Sequence, residues 1–241
     1  LSRILVIPDI HLKPWIFDMA DQVAPVSYDY IVVLGDLVDD WGKGNDLEAY
    51  RETLNRAAEF ASEHDEAFWC YGNHDVSYLW EQMESGYSFQ ARETVIDGIT
   101  KLEKNVEDRY RFVHKIDDVL FSHAGLTETF VLHSCGYHVS DIEDILAKVN
   151  RMGPDSLWRD SSPIWARPQH DFYRMFRDDL YFQVVGHTPV KEPLDACGVL
   201  TLDLFSTYSD GTPYGNQKLY IFDTIKRSIE EANGQNNMKE E

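Results

Sequence analysis

Ile4-Leu5-Val6-Ile7-Pro8-Asp9-Ile10-His11 is the stretch that sets the fold. Four apolar residues in succession read as a strand buried on both faces. Pro8 has no amide hydrogen to give a sheet ladder, so the strand should end beside it. Asp9 and His11 then stand at the C-terminal end of a strand, where open α/β sheets gather their ligand sites. An oxygen donor and a nitrogen donor two residues apart can reach one metal ion. A lone Asp-x-His pair is common on surface turns. Its weight here comes from repetition.

The same pattern recurs downstream. Tyr30-Ile31-Val32-Val33-Leu34 is a second apolar run and stops at Gly35-Asp36-Leu37-Val38-Asp39-Asp40. Ala67-Phe68-Trp69-Cys70-Tyr71 is a third and stops at Gly72-Asn73-His74-Asp75. Between them Leu47, Tyr50, Leu54, Ala57, Ala58 and Ala61 recur at helical spacing, which predicts a crossover helix over residues 46–62. A shorter helix is predicted over 14–23, with Pro14 at an early helical position. Later, Asp118-Val119-Leu120-Phe121-Ser122 leads into His123-Ala124-Gly125, and Tyr181-Phe182-Gln183-Val184-Val185 leads into Gly186-His187-Thr188-Pro189. Residues 109–113 read as a further strand, and 76–105 and 126–150 as mostly helical. Residues 198–204 and 217–222 read as two closing antiparallel strands around a turn-rich loop. One domain over residues 1–227 is expected, followed by a polar tail, 228–241, that should fray.

Bulk properties narrow the function classes. The 241 residues suffice for one sizeable core. No apolar run is long enough to span a bilayer and no basic-then-apolar leader opens the chain, so a cytoplasmic protein with no membrane partner is expected. Cys70, Cys135 and Cys197 are too widely spaced for a disulfide framework or a zinc knuckle, and are expected to be reduced. A net charge of −20 opposes binding to phosphate backbones, so no nucleic-acid partner is expected.

Asp9, His11, Asp36, Asn73, His74, His123 and His187 therefore gather at strand ends. The set has no thiolate, which argues against a structural zinc site. Oxygen and imidazole donors suit manganese, iron or zinc in a reactive site. So many side chains are too many for one ion that keeps a position open. They suit two ions sharing a bridging carboxylate, roughly 3.5–4 Å apart. Such a pair activates water near neutral pH and holds a phosphoryl oxygen against it. His64, His114, His133, His138 and His170 fit no such pattern and read as structural.

In order and spacing, Asp9-Ile10-His11, Gly35-Asp36-Leu37-Val38-Asp39, Gly72-Asn73-His74-Asp75, Ser122-His123-Ala124-Gly125 and Gly186-His187-Thr188-Pro189 resemble the five linked motifs of the calcineurin-like metallophosphoesterases. They are most similar to the phosphoprotein phosphatase branch, especially its small prokaryotic and phage serine/threonine phosphatases. The resemblance implies an α/β fold, a four-layer α/β/β/α sandwich of two mixed sheets. It implies two divalent metal ions, manganese foremost, with iron or zinc as alternatives. Asp9 and His11 would bind the first, Asp36 would bridge, and Asn73, His123 and His187 would bind the second. His74 would protonate the leaving alkoxide, oriented by Asp39. Pro163-Ile164-Trp165-Ala166-Arg167-Pro168 is similar to the family's Trp-x-Arg element, making Arg167 the candidate phosphate clamp and Arg159 its competitor.

The activity so implied is hydrolysis of a phosphate monoester by attack of a metal-held hydroxide on phosphorus. The substrate would be a phosphoserine, phosphothreonine or phosphotyrosine protein, or a small phosphoester. A dinucleoside polyphosphate hydrolase, a phosphodiesterase of the same superfamily and a non-catalytic metal-binding regulatory protein are the alternatives. Two departures stand out. Pro8 and Leu12 replace the glycines that usually flank the first motif, and Asp40 stands where the family carries an Arg. One cationic phosphate contact is thereby missing.

Overall fold

The computed structural model describes residues 1–136, 141–196 and 198–232; His138, Cys197 and the end of the expected tail lie outside them. Along the chain, β1 (Arg3–Ile7) leads through α1 (Trp15–Asp21) to β2 (Tyr30–Val33), and α2 (Leu47–Glu63) crosses over to β3 (Ala67–Cys70). Two helices follow, α3 (Asn73–Leu79) and α4 (Arg92–Val106), then β4 (Tyr110–Arg111), β5 (Val113–Ile116) and β6 (Val119–Ser122). Next come α5 (Glu128–Cys135), α6 (Ile142–Val149) and the short α7 (Pro154–Leu157) and α8 (Pro168–Asp171). The chain closes with β7 (Phe182–Pro189), β8 (Leu194–Ala196), β9 (Val199–Asp203), β10 (Tyr220–Asp223) and β11 (Ser228–Glu231).

The strands form two mixed sheets, ordered β11-β10-β1-β2-β3-β4 and β5-β6-β7-β9-β8. β1, β2 and β3 are parallel, with Ile7 opposite Val33 and Val33 opposite Trp69. This register brings the three strand ends to one edge and sets Asp9, Asp36 and Asn73 side by side. In the second sheet β6 and β7 are also parallel, so His123 and His187 leave toward the same place.

Side-chain alternation explains the layers. Val119 and Phe121 of β6 pack into the cluster between the sheets with Leu5, Val33 and Phe222. Leu120, between them, packs on the outer side against Phe130, Ile145 and Val149 of α5 and α6. α2 covers the first sheet with Tyr50, Leu54, Ala57, Phe60 and Ala61 buried, and starts where the Asp46 carboxylate accepts the Ala49 N–H at 3.2 Å. The fold is thus the expected α/β sandwich of two mixed sheets. Cys70 and Cys135 are buried and free. Among the described residues no helix is long and apolar enough to cross a membrane.

Several boundaries differ from the expectation. Residues 109–113 are not one strand: β4 pairs with β3, β5 pairs with β6, and Phe112 turns between the sheets. The Phe112 and Val113 N–H groups donate to Asn150 Oδ1 instead of to a ladder. The helical stretch 76–105 breaks into α3 and α4 around a loop. Residues 198–204 and 217–222 do not pair with each other, because β9 and β10 belong to different sheets. The first residues of the expected tail, 228–231, form a strand. They pair with β10 as an edge strand, Ile229 opposite Phe222, and Arg3 and Lys218 hold Glu230 and Glu231.

Candidate active site

The segments that follow β1, β2 and β3 and the distal part of β7 line one cleft of about 430 Å³. Asp9, at the end of β1, is fully buried, with Oδ2 accepting the His187 N–H at 2.7 Å. That N–H is lost to the β7 ladder, whose register shifts between Val185 and Pro189, so the strand runs on through a motif expected to follow it. Gly186 lets the two segments approach, since a Cβ there would stand 2.1 Å from Asp9 Oδ1.

His11 donates through Nδ1 to the Asp39 carbonyl at 2.8 Å, which turns Nε2 toward Asp36 Oδ2 at 3.7 Å. His123 does the same from the other side. Its Nδ1 donates to the Leu34 carbonyl at 2.9 Å and its Nε2 stands 3.2 Å from Asp36 Oδ2. Asn73 Oδ1 and His187 Nδ1 lie 2.9 and 3.0 Å from the same His123 nitrogen. Asp36 is therefore the carboxylate common to two groups of donor atoms, one with His11 and His74 and one with His123 and His187. Histidines fixed at one ring nitrogen by a carbonyl present the other as a ligand. His11, Asp36, Asp39 and His187 all hold left-handed backbone, with φ of 44°, 49°, 66° and 61°. Each such residue costs roughly 1–3 kcal/mol, a conformation kept where the side chain's aim matters.

The donor set fits divalent cations. Asp9 Oδ1, His187 Nε2 and Asp203 Oδ1 are buried without a hydrogen-bond partner. Each such atom costs about 1–3 kcal/mol unless something satisfies it. Burial, and then the neighbouring Asp203 and Asp36 carboxylates, push the Asp9 carboxyl well above its usual range, and burial raises Asp203 as well. Carboxyls crowded in this way become good ligands once a cation offsets their charge.

Beside this set stands a second unit. His74 Nδ1 donates to Asp39 Oδ2 at 2.9 Å. Asp39 Oδ1 accepts two phenols, Tyr50 and Tyr78, each at 2.6 Å. Burial alone would lower the His74 imidazole, but Asp36, Asp39 and Glu84 together carry it up to about 10. Arg167 lines the cleft and donates to the His187 carbonyl at 3.0 Å. Arg159 does not line it; its guanidinium donates to the Asp155 carbonyl. Asp40 also lines the cleft, with Lys13 Nζ at 3.2 Å and Thr207 Oγ1 at 3.1 Å. Where the resemblance led to the expectation of an arginine, this chain has a carboxylate tied to a buried lysine.

The structure thus brings Asp9, His11, Asp36, Asn73, His123, His187, His74, Asp39 and Arg167 to one place. It adds Asp203, Glu84, Tyr50 and Tyr78, which sequence reasoning missed. Asp203 could have been found, because it ends the largely apolar strand Val199–Leu202, broken only by Thr201, as Asp36 follows the run that ends at Leu34. Tyr50 reads as part of the apolar face of the crossover helix, while Tyr78 and Glu84 fall in a stretch whose sequence reads only as mostly helical.

The fold has known counterparts. A cold-active protein-tyrosine phosphatase from a psychrophile, Shewanella sp., superposes with a TM-score of 0.57 at 16% identity, over 97% of this chain and 81% of that one. A protein serine/threonine phosphatase from Saccharomyces cerevisiae with similarity to human phosphatase PP5 superposes with a TM-score of 0.59 at 13% identity, over 96% and 80%. At these identities the likeness is one of fold. No curated protein matches the chain in sequence. The calcineurin-like phosphoesterase family, however, matches residues 2–209, a span that takes in every strand but β10 and β11 and every strand end described above. By that match, and with two groups of metal-ligating donors sharing Asp36 at the convergence of its strands, this chain belongs to the calcineurin-like phosphoesterases.

Proposed function

We propose that the chain is a dinuclear-metal-dependent phosphatase acting on phosphate monoesters. The observation that carries this is the His74–Asp39 pair set beside the Asp36-centred donors, 2.9 Å between His74 Nδ1 and Asp39 Oδ2. Asp9 and His11 would hold one ion, Asn73, His123 and His187 the other, and Asp36 both. Manganese is the first choice, and iron and zinc are compatible with the same donors. Bound ions would lower the pKa of a water toward about 7 and polarise the phosphoryl group.

The chain's own residues do the rest. Arg167, fixed by the His187 carbonyl, turns the free side of its guanidinium fork to the phosphoryl oxygens. His74 gives its Nε2 proton to the departing ester oxygen. Asp39, pinned by two tyrosine hydroxyls, keeps the other proton on Nδ1 and the ring in place. A phosphoprotein or a small phosphoester would be the substrate. Buried free cysteines accord with a cytoplasmic setting.

The test is hydrolysis of phenyl phosphate and its diester analogue by metal-stripped protein with Mn²⁺ added back, beside His74→Asn. Manganese-dependent monoester turnover is expected, falling about 10²- to 10⁴-fold in the variant. Two bound ions with no turnover of either ester, or a preference for the diester, would refute the proposal.

A further inference from the structure

Building on the phosphatase reading, we infer that Glu84 is a positioning residue acting on both halves of the site, setting the Asn73 amide toward the metal donors and holding His74 together with Asp39. No motif includes Glu84. It sits in the loop between α3 and α4, and only 7% of its side chain is exposed.

One oxygen, Oε2, accepts the Asn73 Nδ2 hydrogen at 2.7 Å. A carboxylate offers lone pairs only, so it selects the amide flip that turns NH₂ toward itself. Asn73 Oδ1 must then face the opposite way, and it lies 2.9 Å from His123 Nε2, among the metal donors. The other oxygen, Oε1, is buried with no hydrogen-bond partner and stands 3.4 Å from His74 Nδ1. His74 Nδ1 thus faces two carboxylates, Asp39 and Glu84, which keeps a hydrogen on that nitrogen and aims Nε2 at the cleft.

The loop is built to hold Glu84 there. Tyr87 N–H donates to the Glu84 carbonyl at 3.2 Å, closing a turn, and Gly86 takes the left-handed φ of +95° inside it. A Cβ on Gly86 would stand 3.5 Å from His74 Cε1, so the turn lies directly against the imidazole. Tyr87 stacks on Tyr78 at 4.3 Å, and Ser88 N–H donates to the Tyr78 hydroxyl that itself donates to Asp39. Glu84 has no Lys or Arg partner among the described residues. A buried carboxylate whose favourable partners are an amide and an imidazole, with the Asp36 and Asp39 carboxylates near by, is a poor stability device, which leaves placement of those two groups as its use.

Glu84→Gln and Glu84→Ala separate the two halves. Glutamine can still accept from Asn73 with one atom, but sets NH₂ against the His74 N–H. Alanine loses both contacts. Two readouts apply: calorimetric titration of metal-stripped protein with Mn²⁺, and kcat on an alkyl phosphate against 4-nitrophenyl phosphate, whose leaving group needs no proton. Glu84→Gln is expected to bind two Mn²⁺ as the wild type does, with kcat about tenfold lower on the alkyl ester and nearly unchanged on the nitrophenyl ester. Glu84→Ala is expected to weaken one Mn²⁺ about 10- to 100-fold as well. Unchanged Mn²⁺ affinity in Glu84→Ala, or equal kcat losses on both esters in Glu84→Gln, would overturn the inference. If the wild type hydrolyses no monoester, the phosphatase reading falls, while the titration still decides the Asn73 half. Should the alanine variant fail to fold, the leaving-group comparison in Glu84→Gln decides alone.

Discussion

Replacing Gly72 by alanine tests how tightly the shared carboxylate is packed. Gly72 has φ −90° and ψ 165°, a backbone that any residue adopts, so the change carries no conformational penalty of its own. A Cβ there would stand 2.0 Å from Asp36 Oδ1 and 2.3 Å from Asp36 N. Turning the Asp36 side chain relieves the first clash but not the second, which is with backbone. That backbone is held from both sides. Asp36 and Leu37 N–H groups donate to the Asp75 carboxylate at 2.9 and 2.8 Å, and the Asp36 carbonyl accepts Ile10 and His11 at 3.0 and 2.8 Å. Gly72 N–H donates to the same Asp75 at 2.9 Å. The overpacking term is about 1–3 kcal/mol. Because charge-assisted bonds on Asp75 must stretch with it, we expect about 3 kcal/mol. In a chain of this length each kcal/mol lowers the melting midpoint by about 2–4 °C, giving a drop of about 6–12 °C. Scanning calorimetry in a chelator isolates this term, and Mn²⁺ titration should show weakened binding in the same variant. Gly44→Ala is the control, its nearest neighbour being Ser88 Cβ at 3.9 Å; it should shift stability by no more than about 0.5 kcal/mol. A Gly72→Ala protein that melts like the control and binds Mn²⁺ like the wild type would refute the claim that packing fixes Asp36.

Three further perturbations have definite expected outcomes. In Asp39→Asn the amide oxygen still serves Tyr50 and Tyr78, but its NH₂ meets the His74 N–H. The imidazole must then give up that proton, and kcat on phenyl phosphate should fall about 10²-fold or more; activity within threefold of wild type would contradict the assigned role. His114 is buried in β5 with Nε2 donating to the Trp69 carbonyl at 2.8 Å, and burial pushes its imidazole down to about 4. With the folded value below the unfolded one near 6.5, its neutral form stabilises the fold fully above about pH 6.5 and progressively less as pH falls toward 4, a loss of roughly 3 kcal/mol. His114→Gln should flatten urea midpoints over that window, and parallel curves for the two proteins would count against burial as the cause. Asp40→Arg sets a guanidinium beside Lys13, whose side chain is only 9% exposed. Urea unfolding should show a loss of about 3 kcal/mol, recovered when Lys13→Met is added; a single variant as stable as wild type would show the pair to be dispensable.

What the sequence carries well are events that are local in the chain. An apolar run that stops at Asp, Asn or His declares both a strand and what stands at its end, which is why Asp9, Asp36, Asn73, His123 and His187 could be collected before any contact was known. What it carries poorly is decided by distant partners. Residues 109–113 carry no glycine, proline or other turn signal at Phe112, and only Asn150, which takes the two N–H groups there, says that the run changes sheets. Ser228–Glu231 is polar by composition, and becomes a strand because β10 presents an open edge and Arg3 and Lys218 sit within reach. Asp40 reads in the sequence as a missing cation. In the fold it is one end of a pair whose other end, Lys13, is 27 residues earlier.

The same distinction separates the donors from the residues that aim them. His11, Asp36, Asp39 and His187 hold left-handed backbone, which Asp and His tolerate better than most side chains but still at a cost, together several kcal/mol. They are held there by contacts that cross the motifs: Asp39 accepts from residues of α2 and α3, Asp9 accepts from His187, and Asp75 clasps the turn after β2. Each motif supplies the constraint on another. A chain that kept one motif intact and lost the rest would not hold even that motif's geometry. Five short patterns spread from Asp9 to His187 are therefore one structural object, and their joint presence in the sequence points to the fold more strongly than any of them does singly.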